Sequence, residues 1–255
     1  MSTTVGVVVP AFRPDVGELR RYVTAIEETL DPETVVIELD APKEGVKAQL
    51  EDLPAIIETV PYRRGKGAAI TAGFEFLETD VLVFADADGS TPADSLDSVA
   101  DRVSSGGADL AVGSRRHPDS EVASHQTFAR RFLGDGFAWL AGTLLTVSLH
   151  DYQCGAKAIS ADGWEQVRSH LYEPGFAWDV ELAAIAGALD LRVAEVPIQW
   201  EDRPGSTVSP VRDSVALFRA LLSARHRAKQ LSDDRLHTAI AAAREQPTAL
   251  VERDR

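Results

Sequence analysis

The chain has 255 residues, 44% of them apolar and 26% charged, enough for one large globular domain with a full core and incompatible with disorder. Its 40 acidic against 26 basic residues leave a net charge of −14, which excludes a general nucleic-acid binder, because that role needs a basic face. No apolar run reaches the roughly 20 residues of a membrane span, no signal-peptide pattern opens the chain, and a single Cys154 excludes an internal disulfide or a cysteine-based zinc finger.

In chain order, Thr4 to Val9 is a continuous β-branched run ended by Pro10 and reads as a buried strand. Residues 15–30 place Val16, Leu19, Val23, Ile26 and Leu30 on one helical face. Val35 to Leu39 and Ile56 to Val60 read as strands, Gly67 to Leu77 as a helix, and Val81 to Ala85 as another buried strand. A helix over 93–103 and a strand from Leu110 to Val112 follow. Strands alternating with helices at this spacing predict an α/β fold with a mostly parallel, doubly wound sheet, whose ligands bind beyond the carboxyl ends of the strands. The second half is more helical, with helices expected over 125–147, 162–170, 178–189 and 211–230 and a strand from Leu191 to Val196. One domain over residues 1–230 and a polar, Ala-rich tail over 231–255 is the economical division.

Asp86-Ala87-Asp88 directly follows a buried strand and precedes Gly89-Ser90. Two carboxylates at i and i+2 on a strand end can converge on one hard cation, with water and phosphate oxygens completing its shell. The same residues also suit a plain strand-ending turn. Around them, in order, stand Val7-Val8-Val9-Pro10-Ala11-Phe12, Arg64-Gly65-Lys66-Gly67, Ala72-Gly73-Phe74, Gly113-Ser114-Arg115, Gln153-Cys154-Gly155-Ala156-Lys157, Trp178-Asp179-Val180-Glu181 and Glu195-Val196-Pro197-Ile198-Gln199-Trp200. With these pieces the chain resembles the family 2 glycosyltransferases of the GT-A (Rossmann-like) fold, and within them the dolichyl-phosphate mannose and glucose synthases, from about residue 4 to 222.

The resemblance implies a hexose, glucose or mannose, moved with inversion from a UDP- or GDP-sugar to dolichyl phosphate, feeding protein or lipid glycosylation. It implies that Pro10, Phe12, Asp15, Asp40 and Lys66 border the nucleotide sugar, with Phe12 serving either there or as a core aromatic. Asp86 would meet the sugar or the metal's water shell, and Asp88 would coordinate Mg2+ or Mn2+ on the diphosphate. A lysine opening a helix opposes the helix dipole, which hints at an anionic ligand beside Lys66. A lipid phosphate has a second pKa near 6, so it needs cations more than a general base. Arg115, Arg116, Arg130 and Arg131 are the supply, since guanidinium matches phosphate geometry. Gln153, Gly155 and Lys157 line the acceptor pocket in this reading, with Cys154 a small apolar filler. Asp179 is the first choice for a catalytic or acceptor-orienting carboxylate and Glu181 the second; His117, His125 and His150 have no ligand spacing and read as structural.

One departure stands out. Relatives usually end the second strand with Asp-Asp-Gly-Ser, whereas this chain has Asp40-Ala41-Pro42. That leaves the base identity open, and with it a second reading as a non-catalytic sugar-nucleotide-binding protein. A third reading is a haloacid-dehalogenase-type phosphatase, because strand-Asp86-Ala87-Asp88-Gly89-Ser90-Thr91 also fits the opening motif of that class.

Dolichyl phosphate lives in a bilayer. Residues 203–229 carry Arg203, Arg212, Arg219, Arg225, Arg227 and Lys229 against Asp213 alone, with Val215, Leu217, Phe218, Leu221 and Leu222 as an apolar side. The expectation is a cytoplasmic protein, peripheral on the anionic membrane face through this helix or brought there by a membrane-embedded partner. The 21 Arg against 5 Lys, beside so many acids, resembles the proteins of salt-loving archaea.

Overall fold

The computed structural model describes residues 3–123, 128–201, 210–232, 237 and 247–253; the side chains of 123, 128–133 and 210–215 lie outside that description. The first half alternates as expected: β1 (Val5–Phe12), α1 (Val16–Leu30), β2 (Thr34–Asp40), β3 (Ile56–Val60), α2 (Lys66–Phe74), β4 (Val81–Ala85), α3 (Ala93–Ser104) and β5 (Leu110–Ser114). The second half runs β6 (Glu121–Ala123), α4 (Phe128–Leu144), β7 (Ala156–Ser160), α5 (Ala161–Val167), α6 (Trp178–Ala188), β8 (Val193–Pro197), β9 (Gln199–Glu201) and α7 (Pro210–Leu231).

Seven strands form one sheet in the order β3-β2-β1-β4-β7-β5-β8, and β6 pairs β9 separately. Every pairing in the large sheet is parallel except those of β7, which runs antiparallel between β4 and β5. The sequence reading placed residues 153–157 in a pocket and missed this strand, whose Ala-Lys-Ala-Ile-Ser lacks the β-branched run of its neighbours. Burial on both faces rather than propensity holds it, since Ala156, Ala158 and Ile159 are enclosed.

One face of the sheet is covered by α1 and α3 through Leu19, Val23, Ile26, Leu96 and Val99. The other takes α2, α5 and α6 through Ile70, Phe74, Trp164, Trp178, Leu182 and Ile185. Asp15 caps α1, its Oδ1 accepting the Glu18 amide at 3.0 Å, which ends β1's loop and fixes the helix start. Chain order reverses beside β1, which has β2 on one side and β4 on the other, so the crevice at the carboxyl ends of β1 and β4 is where such a sheet binds ligands. Near the end of the chain, Leu250 is buried and its amide donates to the Leu171 carbonyl at 2.8 Å, so residues 247–253 lie against the body instead of trailing from it.

Candidate active site at the β4 crevice

At the end of β4 the Asp86 amide donates to the Gly155 carbonyl at 2.9 Å, and the Asp86 carboxylate lies on the Gly155 Cα. A Cβ at position 155 would stand 2.1 Å from Asp86 Oδ2, so glycine is there to make room for the carboxylate. Asp88 Oδ1 accepts the Ser90 amide at 2.9 Å in a tight turn through Gly89, whose φ is +65°. Beneath Gly89 lies the ring of Tyr22 from α1. Its hydroxyl is buried without a hydrogen-bond partner among the described residues, and burial, with Asp86 and Asp88 adding to it, raises its pKa.

Lys66, the first residue of α2, reaches the same place. Its Nζ is 2.9 Å from Asp86 Oδ1 and 3.0 Å from Asp179 Oδ2. Burial works against its charge, but Asp179 and Asp86 outweigh that and lift its pKa above the ordinary lysine value. The helix start is set by Gly65, whose φ of +103° and contact with the Pro174 carbonyl admit no side chain. Trp178 braces the opposite side: it fills the space over Gly67, and its Nε1 donates to Thr71 Oγ1 at 3.2 Å.

Asp40, expected at the base or ribose, is turned to the protein. Its Oδ2 accepts the amides of Arg64 (2.7 Å) and Gly65 (3.1 Å), and its Oδ1 accepts the Arg64 Nε at 2.8 Å. Arg64 also pairs with Glu38 at 2.6 Å. Asp40 therefore fixes the loop that carries Lys66. Asp15 is likewise engaged as a helix cap. Phe12 is no core aromatic: it stands exposed at the end of β1, with the guanidinium carbons of Arg63 and Arg13 at 4.3 and 5.1 Å from its ring centre. Pro10, two residues back on β1, is half-buried at the same crevice.

On the acceptor side the arginines are already engaged. Arg115 grips Asp151 with two parallel bonds of 2.6 and 2.9 Å. Burial alone would raise the Asp151 carboxyl, yet the Arg115 charge and its hydrogen bonds hold it below the ordinary value. Glu195 accepts the amides of His150 and Asp151 at 2.9 Å, and His150 Nδ1 lies 2.7 Å from it. Arg116 pairs with Asp135 at 2.5 Å. The Gln153 amide donates to Asp151 at 3.1 Å. Arg130 and Arg131 belong to α4, with side chains outside the described residues, and His125 is outside them altogether. Lys157, expected to line an open acceptor pocket, is instead enclosed on β7 and bonded to Asp179 and the Cys154 carbonyl. Cys154 is buried, and burial with the Asp151 charge pushes its thiol up to about 12, so it is no nucleophile.

Neither acidic residue of α6 is available as a base. Both oxygens of Asp179 are held by lysines. Glu181 accepts the amides of Tyr172 (2.8 Å) and Glu173 (2.7 Å) and pairs with Arg227 of α7.

A hard cation such as Mg2+ or Mn2+ takes six or more oxygen ligands. Here Asp88, and Asp86 through the oxygen that Lys66 leaves, could hold one, and both supply the right donor atom. Among the described residues no group of three or more His, Cys, Asp or Glu is placed for a metal. The donor set thus suits such a cation in kind and is too small to retain it alone, which fits a cation that enters with an oxygen-rich anion.

The sequence reading picked out Asp86, Asp88, Lys66, Lys157 and Asp179, and the structure joins four of them directly. It missed Asp151 and Tyr22. Asp151 carried a usable signal, an acid two residues before Gln153; Tyr22 sits on the apolar stripe of α1 and carried none.

Comparison with known proteins agrees with this geometry. The chain is 34% identical over 160 residues to glycosyltransferase AglD of Haloferax volcanii, covering 63% of this chain and 25% of that protein. It is 31% identical over 178 residues to the dolichyl-phosphate β-glucosyltransferase of Mus musculus, covering 66% of this chain and 54% of that one. The chain therefore spans from a quarter to about half the length of these curated relatives. Glucosyl-3-phosphoglycerate synthase of Mycobacterium tuberculosis, solved with UDP, superposes with a TM-score of 0.66 at 18% identity, over 88% of this chain and 80% of that one. The same enzyme solved with Mn2+, UDP-glucose and phosphoglyceric acid gives 0.66 at 17% identity over the same shares of each chain. The sheet order, with an Asp-Ala-Asp turn closing its fourth strand, is thus a GT-A fold, and the phosphatase reading falls with it. The family model described as Glycosyl transferase family 2 matches residues 6–145, more than half of the sequence, and the chain belongs to that family.

Proposed function

We propose that the chain moves a hexose from a nucleoside-diphosphate sugar to dolichyl phosphate at the cytoplasmic face of a membrane, with Mg2+ or Mn2+. The observation that carries this reading is the state of Asp179. Where a hydroxyl acceptor would need a free carboxylate to take its proton, both oxygens are occupied. A phosphomonoester with a second pKa near 6 is already an anionic nucleophile. In the transfer, an acceptor phosphate oxygen bonds to the sugar's anomeric carbon while the bond from that carbon to the diphosphate breaks. The nucleoside diphosphate leaves with the electron pair, and no proton has to move. The cation, held by Asp88, would neutralise charge on the departing diphosphate. Lys66 stands beside it as a fixed positive charge. The relatives' names make UDP and glucose the first donor to test.

No helix among the described residues is long and apolar enough to cross a membrane. Peripheral docking through α7 is supported by Phe218 and Leu222, exposed beside Arg219. Arg225 and Arg227 do not take part, because they bond the Leu144 carbonyl and Glu181.

The test is transfer from labelled UDP- and GDP-sugars with Mn2+, using dolichyl phosphate or free dolichol in anionic vesicles or detergent. Label should enter the lipid only with dolichyl phosphate. Arg219→Glu should slow the reaction on vesicles and not in detergent. Equal use of dolichol overturns the acceptor; binding without any transfer makes the chain a non-catalytic sugar-nucleotide binder; indifference to Arg219→Glu removes the docking role of α7.

A further inference from the structure

Four charged side chains form one string from the core to the crevice. Lys157 Nζ donates to the Cys154 carbonyl at 2.7 Å and to Asp179 Oδ1 at 2.6 Å. Asp179 Oδ2 takes Lys66 Nζ at 3.0 Å, and Lys66 continues to Asp86 Oδ1 at 2.9 Å. Side-chain exposure rises along it from 1% at Lys157 and 2% at Asp179 to 8% at Lys66 and 39% at Asp86. Two cations alternate with two anions, so the string is neutral, which is the condition for keeping charges this deep. Both ammonium groups also face the ring of Phe84, 5.0 and 5.5 Å from its centre.

Only one end of this string meets the crevice. A lysine on a flexible stem beside a half-exposed carboxylate would fold onto it, and the two would cancel. Asp179 prevents that by pulling Nζ from the opposite side, so the ammonium is held between two carboxylates. Its third N–H is left over for an anion in the crevice. Asp179 in turn needs Lys157 behind it, because a buried carboxylate holding one cation through one oxygen would be under-compensated.

We infer that Asp179 is a positioning residue: with Lys157 it sets Lys66 so that the Lys66 ammonium holds Asp86 and donates to the diphosphate of the bound nucleotide. This rests on the nucleotide-sugar reading proposed above. It assigns the binding of the leaving group to a buried relay, and it gives Asp179 no proton to accept.

Calorimetric titration of the full chain with UDP or GDP in the presence of Mn2+, without acceptor, tests it. Asp179→Asn should weaken binding by roughly tenfold to a hundredfold, the size expected for losing one charge-assisted hydrogen bond. That variant strands Lys157, so Lys157→Met/Asp179→Asn, which removes both buried charges together, is the companion that keeps the core neutral. It should weaken binding equally and raise KM for the sugar donor. Adding Lys66→Met to it should cost little more, because the same contact is already lost. Undiminished nucleotide binding in the double variant overturns the inference, and so does a lost kcat with unchanged KM in Asp179→Asn. Failure of the wild-type chain to bind either nucleotide overturns the nucleotide-sugar reading itself, and the inference with it.

Discussion

Gly155 and Asp88 separate what the site needs from what the fold needs. Asp88 is exposed and bonded only to the Ser90 amide among the described residues, so Asp88→Asn keeps the turn and removes the charge offered to a cation. Transfer should fall by at least roughly a hundredfold, as expected for loss of a metal-ligand carboxylate, with thermal stability within about 0.5 kcal/mol of wild type. Gly155→Ala acts from the other side, since its Cβ would stand 2.1 Å from Asp86 Oδ2 and must drive that carboxylate off Lys66. Its activity should fall out of proportion to its melting temperature. Full activity in Asp88→Asn, or parallel losses of activity and stability in Gly155→Ala, would sink this division of roles. Asp86, Asp88 and Lys66 were legible in the sequence because a charge at a strand end or a helix start breaks a simple rule. The roles of Asp40, Arg115 and Lys157 were not, because each is decided by a partner 22 to 36 residues away. A sequence displays the cation; only the fold shows that a carboxylate already holds it.

Among the elements, α1 and α3 were readable from a strong apolar period, and β1, β2, β4 and β5 from continuous apolar runs bounded by turn signals. β7 was not, because a short strand buried on both faces by its neighbours needs no pattern of its own. The pairing of α6 with α7 was equally hidden and has a measurable consequence. Glu181 is buried at the start of α6, and Arg227 of α7 is the cation that meets it. Burial raises the Glu181 carboxyl above its ordinary value, while Arg227 and the Tyr172 and Glu173 amides limit the rise. A carboxyl raised in the folded state binds its proton more tightly there than when unfolded, so its contribution to stability is present at low pH and lost as pH rises through the folded value. Removing Arg227 raises that value further. Arg227→Met should therefore cost about 3 kcal/mol near neutral pH, the lower end for breaking a buried pair because Arg227 is partly exposed. Urea unfolding should show a smaller cost at about pH 5 than at about pH 8. An equal cost at both would mean that the loss comes from the packing of α7, through Leu221, Ala224 and Ala228, and not from the charge of Glu181.

Over the whole molecule the net charge of −14 and the neutral string of lysines and aspartates at the site answer to salt in different ways. Many basic groups are already spent on acids, among them Arg20 on Asp52, Arg64 on Asp40, Arg115 on Asp151 and Arg192 on Asp109. The surplus acids therefore repel one another across the surface, a cost that falls as the screening length drops from about 10 Å in 0.1 M salt to about 3 Å in 1 M. Exposed pairs such as Arg20–Asp52 lose strength as well, but each is worth at most about 1 kcal/mol. Between about 0.1 and 1 M KCl the melting temperature should rise, by roughly 2–4 °C for each kcal/mol of relieved repulsion. A fall would mean that the paired arginines, and not the surplus acids, govern stability. Lys66 and Lys157 are enclosed, so the same salt should weaken nucleoside-diphosphate binding far less than it would a site built from surface lysines. Titrating UDP with Mn2+ at both salt concentrations checks this. Loss of affinity on the scale of the surface ion pairs would place the diphosphate on exposed cations such as Arg13 and Arg63, and retained affinity places it on the buried relay.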